Sequence, residues 1–153
     1  VVDLLVLIVV LLVIAGIGWK LFAPKVKEAV APQVTLTAVM RVRGASPFLV
    51  TELQENSQVG KQLVAGNDFT SAKITKVEFV PYVVQTTTAD GSIVDATDPS
   101  KMDVLITVEA PVSKSAAAPK VANQEVRAGR TFTIKTQDFE STPTIDSVRF
   151  FDD

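Results

Sequence analysis

Residues 34–43 read VTLTAVMRVR, from Val34 to Arg43, and apolar and polar side chains alternate along them. A period of two carried by β-branched residues marks a strand with one buried and one open face. Downstream, Gly44-Ala45-Ser46-Pro47 offers Ser46 as an N-cap and Pro47 as a first helical residue. A short helix is expected from Pro47 to Asn56, with Phe48, Leu49 and Leu53 on one face. Gly60 ends that segment and Lys61 to Val64 begins a strand. Ile74 to Val84 (ITKVEFVPYVV) is a second long strand, bent at Pro81. Ala89-Asp90-Gly91-Ser92 is a hairpin turn, and Asp98-Pro99-Ser100 reads as a loop. Asp103 to Glu109 (DVLITVE) has the nearly continuous apolar run of a central strand. Pro111 to Gln124 reads as a loop or weak helix, and Thr131–Lys135 and Thr144–Phe151 close the domain as strands. Phe69, Phe79, Phe132, Phe139 and Phe150 are the expected aromatic core.

Two stretches of this region resemble each other. Gly60-Lys61-Gln62-Leu63 matches Gly129-Arg130-Thr131-Phe132, Asp68-Phe69 matches Asp138-Phe139, and Ile74 to Phe79 matches Ile145 to Phe150. The offsets are 69, 70 and 71, so the order is kept with two single-residue slips. Chance similarity of glycine-turn-strand patterns is the competing explanation. The conserved order of three segments favours a duplication, and two such units suggest a small pseudo-twofold β-barrel or sandwich. Ile74 and Val77 lie three residues apart, as do Ile145 and Val148, so one face can hold both only across a bulge or strand end. Both halves are therefore expected to bend at the same place.

On the N-terminal side the pattern is different. Leu4 to Trp19 (LLVLIVVLLVIAGIGW) has 16 residues and no charge. As a helix it covers ~24 Å, and its apolar neighbours bring it towards the ~30 Å of a hydrocarbon core. A buried core helix and an uncleaved signal peptide compete with a membrane span; no basic region precedes Val1, as a signal peptide would need. Asp3, Trp19 and Lys20 fall at the expected membrane interface, the aspartate at the positive end of the helix, the indole in the aromatic belt and the lysine snorkelling. The expected organisation is a transmembrane anchor over residues 1–23, a stalk over 24–33 containing Pro24 and Pro32, and a β-rich head over 34–153. Lys20, Lys25 and Lys27 by themselves would place the head in the cytoplasm, but the rule weighs both flanks and Val1 is not a translation start.

Composition narrows the chemistry. The head has 12 Lys and Arg against 15 Asp and Glu, a net charge of −3, with no basic run for phosphates. Without His there is no side chain titrating near neutrality, and without Cys no thiolate, disulfide or Cys-ligated zinc. Asp95, Asp98 and Asp103 lack the glycine and terminal glutamate of a calcium loop. Lys114 beside Ser113 and Ser115 is the only nucleophile–base pairing left, and it sits in a small-residue loop. Arg41 and Arg43 share a strand face, to pair with carboxylates of the head or to meet a partner. No catalytic residue, cofactor, metal or small-molecule substrate is indicated.

The whole chain resembles a bacterial family of unknown function. The resemblance is carried by Val2-Asp3-Leu4-Leu5, Val42-Arg43-Gly44, Ala89-Asp90-Gly91-Ser92 and Asp103-Val104-Leu105, then by Asn123 to Gly129 and Ile145-Asp146-Ser147-Val148. The chain departs from it at Pro143-Thr144, where the family tends to have glycine before the last strand. The resemblance implies a short basic tail upstream, one membrane helix and an extracytoplasmic β-rich domain, and it implies no activity. The expected function is a non-enzymatic, single-pass envelope protein, whose partners are the bilayer and other envelope proteins or copies of itself. A pilin-like filament subunit, with the apolar helix in a fibre core, is the alternative. It would leave Asp3 needing a partner charge and has Leu5 where pilins usually carry Glu.

Overall fold

The computed structural model describes residues 12–14 and 32–152. Leu12, Val13 and Ile14 are helical and exposed. Most of the expected anchor, the stalk up to residue 31 and the interface residues Asp3, Trp19 and Lys20 lie outside the described residues. Among the described residues, no helix is long and apolar enough to cross a membrane.

The elements follow in the order β1 (Gln33–Ala45), α1 (Pro47–Glu55), β2 (Gln62–Ala65), β3 (Asp68–Thr87), β4 (Ile93–Ser113), β5 (Lys120–Val121), β6 (Gln124–Glu125), β7 (Ile134–Lys135), β8 (Glu140–Ser141) and β9 (Thr144–Phe151). One antiparallel sheet in the order β2-β3-β4-β1-β9 dominates, with β5–β6 and β7–β8 as two small hairpins. The alternation in β1 buries Val34, Leu36, Ala38 and Met40 on one face and leaves Thr35, Thr37, Val39 and Arg41 half-buried on the other. Val104, Ile106, Val108, Ala110 and Val112 of β4 extend the same buried face. It is covered by Val50 and Leu53 of α1 and by Val121, Val126, Phe132, Ile134 and Phe139 of the C-terminal segment, all in one core cluster.

The expected barrel or sandwich is thus corrected. The sheet is open, and what packs on it is one helix and short hairpins rather than a second full sheet. The second face is mixed: Lys76, Glu78, Thr107, Ser147 and Arg149 share it with Val39, Leu105 and Val80, and its charged side chains keep it solvated without a second sheet. Several aromatic expectations are corrected as well. Phe69 and Phe150 are exposed, at 61% and 54%, because each sits where the covering layer ends; Phe48 points to solvent from the first turn of α1. Phe132 and Phe139 are core, and Phe79 packs partly buried against it.

The duplication is legible in the hydrogen-bonded register. Ile74 faces Val108 and Ile145 faces Met40; Val77 faces Ile106 and Val148 faces Ala38; Phe79 faces Val104 and Phe150 faces Leu36. β3 and β9 therefore correspond at an offset of 71 (145 − 74), and β1 and β4 at 68 (108 − 40). Both outer strands skip one residue at the same place, Thr75 between Ile74 and Lys76, and Asp146 between Ile145 and Ser147. Ahead of each lies the same turn. Gly60 donates to the Ile74 carbonyl at 2.7 Å and Gly129 to that of Ile145 at 2.8 Å. Ile74 donates back to the Lys61 carbonyl and Ile145 to that of Arg130, at 3.0 and 2.8 Å. Val39 lies opposite Thr107, its own counterpart (39 + 68), so the pseudo-twofold passes through that pair.

Candidate functional site

The symmetry exposes where the halves differ, and the largest difference is a ribbon. β1 pairs with β4 only as far as Ala45 opposite Met102, whereas β3 and β4 run on together past that end. Six further cross-strand pairs, from Tyr82–Asp98 to Thr87–Ile93, carry the hairpin ~20 Å beyond the sheet. Pro81 ends the sheet register and Pro99, Ser100 and Lys101 are looped out between the Pro81–Met102 and Tyr82–Asp98 pairs. Asp98, read from sequence as part of a loop, accepts from the Ser100 amide and hydroxyl at 2.9 and 2.6 Å and closes this outward step. Those bonds, the hydroxyl's first, hold the Asp98 carboxyl below its ordinary range. At the tip, Asp90 accepts from the Thr88 hydroxyl, from the Ser92 amide at 3.1 Å and from the Ser92 hydroxyl at 3.1 Å, and its carboxyl is likewise held low.

A polar cluster sits at the ribbon's base on the open face. β1 bulges between Val42 and Ala45, with Gly44 at φ +58°. The Gly44 amide donates to Asp103 Oδ1 at 2.8 Å, and Arg41 Nη1 donates to Asp103 Oδ2 at 3.1 Å. Arg41 Nε donates to Asp146 Oδ2 at 2.7 Å, so one guanidinium ties β1, β4 and β9 together. Asp146 and then Asp103 raise the Arg41 pKa, and the side chain stays cationic. The positions related by the pseudo-twofold hold Glu109, Thr35 and Thr75, which cannot reproduce an arginine between two carboxylates. Beside this cluster Arg43 and Lys101 each stand over the Tyr82 ring, 5.8 Å from its centroid. A Cβ at Gly44 would meet that ring at 3.4 Å, an ordinary contact, so the left-handed φ is what favours glycine there.

A pocket of about 630 Å³ lies elsewhere, between Gly60, Lys61, Gln62, Phe69, Gln137 and Asp138. Its charges are committed to one another. Lys61 Nζ donates to Asp138 at 2.6 Å and to Asn56 Oδ1 at 3.0 Å, and Asn56 Nδ2 donates to Asp138 at 2.8 Å. Beneath it, Thr136 donates to the buried Gln58 Oε1 at 2.9 Å. This is a latch joining the first half to the C-terminal segment.

Asp95, Asp98 and Asp103, weighed above as a calcium loop, are not brought together: Asp95 faces Gln85 in the ribbon, Asp98 closes the step and Asp103 is buried against Arg41. Lys114 donates to Asp152 at 2.6 Å, while the Ser113 and Ser115 hydroxyls bond each other at 3.1 Å, so no serine faces a free amine there. Arg41 does pair with head carboxylates. Sequence patterns do not show the ribbon as one element; the signals for it are the β-branched residues on both sides of the Ala89–Ser92 turn. A family model described as a domain of unknown function (DUF4330) matches residues 1–149. The chain belongs to this family. No curated protein and no solved structure matches it. In this member, then, the ribbon and the polar cluster at its base are what distinguish one half of the duplicated head from the other.

Proposed function

We propose that the chain is a single-pass envelope protein, anchored by the Leu4–Trp19 helix, whose extracytoplasmic head is a non-enzymatic interaction module. One observation carries this reading. The described chain enters the head at Gln33, opposite Ser113, and the ribbon leaves the sheet at the other end, beyond Met102. An anchor placed before Gln33 therefore holds the ribbon away from the bilayer, where a partner would reach it. Three exposed apolar side chains, Val83, Ile93 and Val94, lie on the ribbon, where folding gives no reason to keep them. Asp3, Trp19 and Lys20 would set the anchor's depth. The bilayer is one partner, and other envelope proteins or further copies are the others; the reading uses no cofactor.

The test is made on cells producing the whole protein with its natural upstream segment. The expected outcome is that the protein resists alkaline carbonate extraction and that protease added to spheroplasts removes the head without lysis. A head protected until the membrane is broken, or a protein released by carbonate, would overturn the reading. A shear-released fibre would replace it with the filament alternative.

A further inference from the structure

The two long edges of the ribbon differ. Beyond the main sheet neither strand has a neighbour on its outer side among the described residues, so each presents unpaired amides and carbonyls. Natural sheets guard such edges with charge. The β4 edge is guarded by Asp95 and Asp98, but the β3 edge, Tyr82 to Thr88 (YVVQTTT), has no charge at all. The ribbon from Tyr82 to Asp98 contains three carboxylates, Asp90, Asp95 and Asp98, and no Lys or Arg.

We infer that the β3 edge of the ribbon is a self-association site, pairing antiparallel with the same edge of a second copy. In the register centred on Gln85, Val84 meets Thr86, Val83 meets Thr87 and Tyr82 meets Thr88, all β-branched or aromatic partners that favour cross-strand packing. Asp95 and Asp98 of both copies then lie on the outer strands, one strand removed from the seam. Pairing through the β4 edge would instead put Asp95 and Asp98 of both copies on the two strands of the seam, four carboxylates and no cation, and like charges across a ladder destabilise it. The charge distribution thus selects which edge is adhesive and admits a second copy there. The inference gives the interaction reading above its partner and rests on it only for the ribbon's role, not for the anchor.

The chain has no cysteine, so Gln85→Cys introduces a single thiol at the twofold of the proposed pair. Residues directly opposite in an antiparallel ladder are about 4.5–5.5 Å apart at Cα, within disulfide reach. The full chain in detergent micelles, mildly oxidised, should yield a covalent dimer from Gln85→Cys and little from Asp95→Cys, the exposed residue opposite it within the ribbon. Gln85→Lys should weaken the dimer seen by sedimentation about tenfold or more, with the unfolding midpoint unchanged. Equal cross-linking of the two cysteine variants, a dimer indifferent to Gln85→Lys, or a wild-type monomer would each overturn the inference. A monomer whose ribbon engages a different protein would overturn it while leaving the interaction reading intact, and failure of the anchor would show only in the carbonate and protease experiments.

Discussion

Asp138 shows how a single residue becomes responsible for acid stability without contributing to the core. Its carboxylate is solvent-facing, yet Lys61, then Asn56, and more weakly Thr136 hold its pKa down to about 2 from an ordinary value of 3.8. A carboxyl whose pKa is lower folded than unfolded stabilises the fold fully above its unfolded value, and that stabilisation is lost as pH falls to the folded one. The latch should therefore weaken between about pH 4 and pH 2. Urea midpoints measured across that window should fall less steeply for Asp138→Asn than for the natural chain, and the two should differ most above it. Phe79 and Phe150 are the same residue type at matching positions of the two halves, but Phe79 packs partly buried against the core and Phe150 is 54% exposed, because burial depends on the layer above and not on the strand that carries the side chain. Asp103, expected as the first residue of a central strand, is buried because Arg41 and the Gly44 amide converge on it from a bulge that no local pattern announces.

At the scale of elements, the two glycine turns offer the most direct test of the duplication. Gly60 and Gly129 have φ of +87° and +84°, and neither has an atom within 4 Å of where a Cβ would lie. Replacing either by Ala meets no clash and costs only the strained backbone, about 1–2 kcal/mol. Gly60→Ala and Gly129→Ala should therefore cost the same within about 0.5 kcal/mol, and the double variant should be additive because the turns share no partner. Chemical denaturation of the two single variants and the double checks this. Markedly unequal losses would mean that the matching hydrogen bonds support different loads. The bulges at Thr75 and Asp146 were foreseeable for the same reason that the turns were. A three-residue spacing between two apolar residues cannot be accommodated by a strand of period two without an extra residue. The extension of β3 to Thr87 and of β4 back to Ile93 was less apparent, since Pro81 and Pro99 read as ends and serve instead as a step in a longer hairpin.

For the molecule as a whole, the core and the ribbon are separable. None of the buried apolar residues lies between Val83 and Thr97. Tyr82 and Asp98 are directly paired, so an Asn-Gly turn between them can close the hairpin once Val83–Thr97 is removed. That shortened chain should unfold with a midpoint within about 1 kcal/mol of the natural one, as expected for surface changes away from the core, and should have lost the cross-linking competence proposed for the ribbon. A collapse of cooperative unfolding would place the ribbon in the folding unit after all. Residue patterns alone placed the long strands, the Ala89–Ser92 turn and the repeat, because periodicity, glycine turns and residue spacing act over a few residues and do not depend on what covers them; the β5–β6 hairpin, where Pro111–Gln124 reads as a loop or weak helix, they did not place. The sequence also holds the uncharged apolar run Leu4–Trp19, on which the proposed anchor rests. Long-range packing sets the rest: the sheet stays open, some phenylalanines are inside and others out, Arg41 joins three strands, and the ribbon leaves from the end opposite the chain's entry. Those properties are set by which distant segments meet, and local patterns carry no record of that.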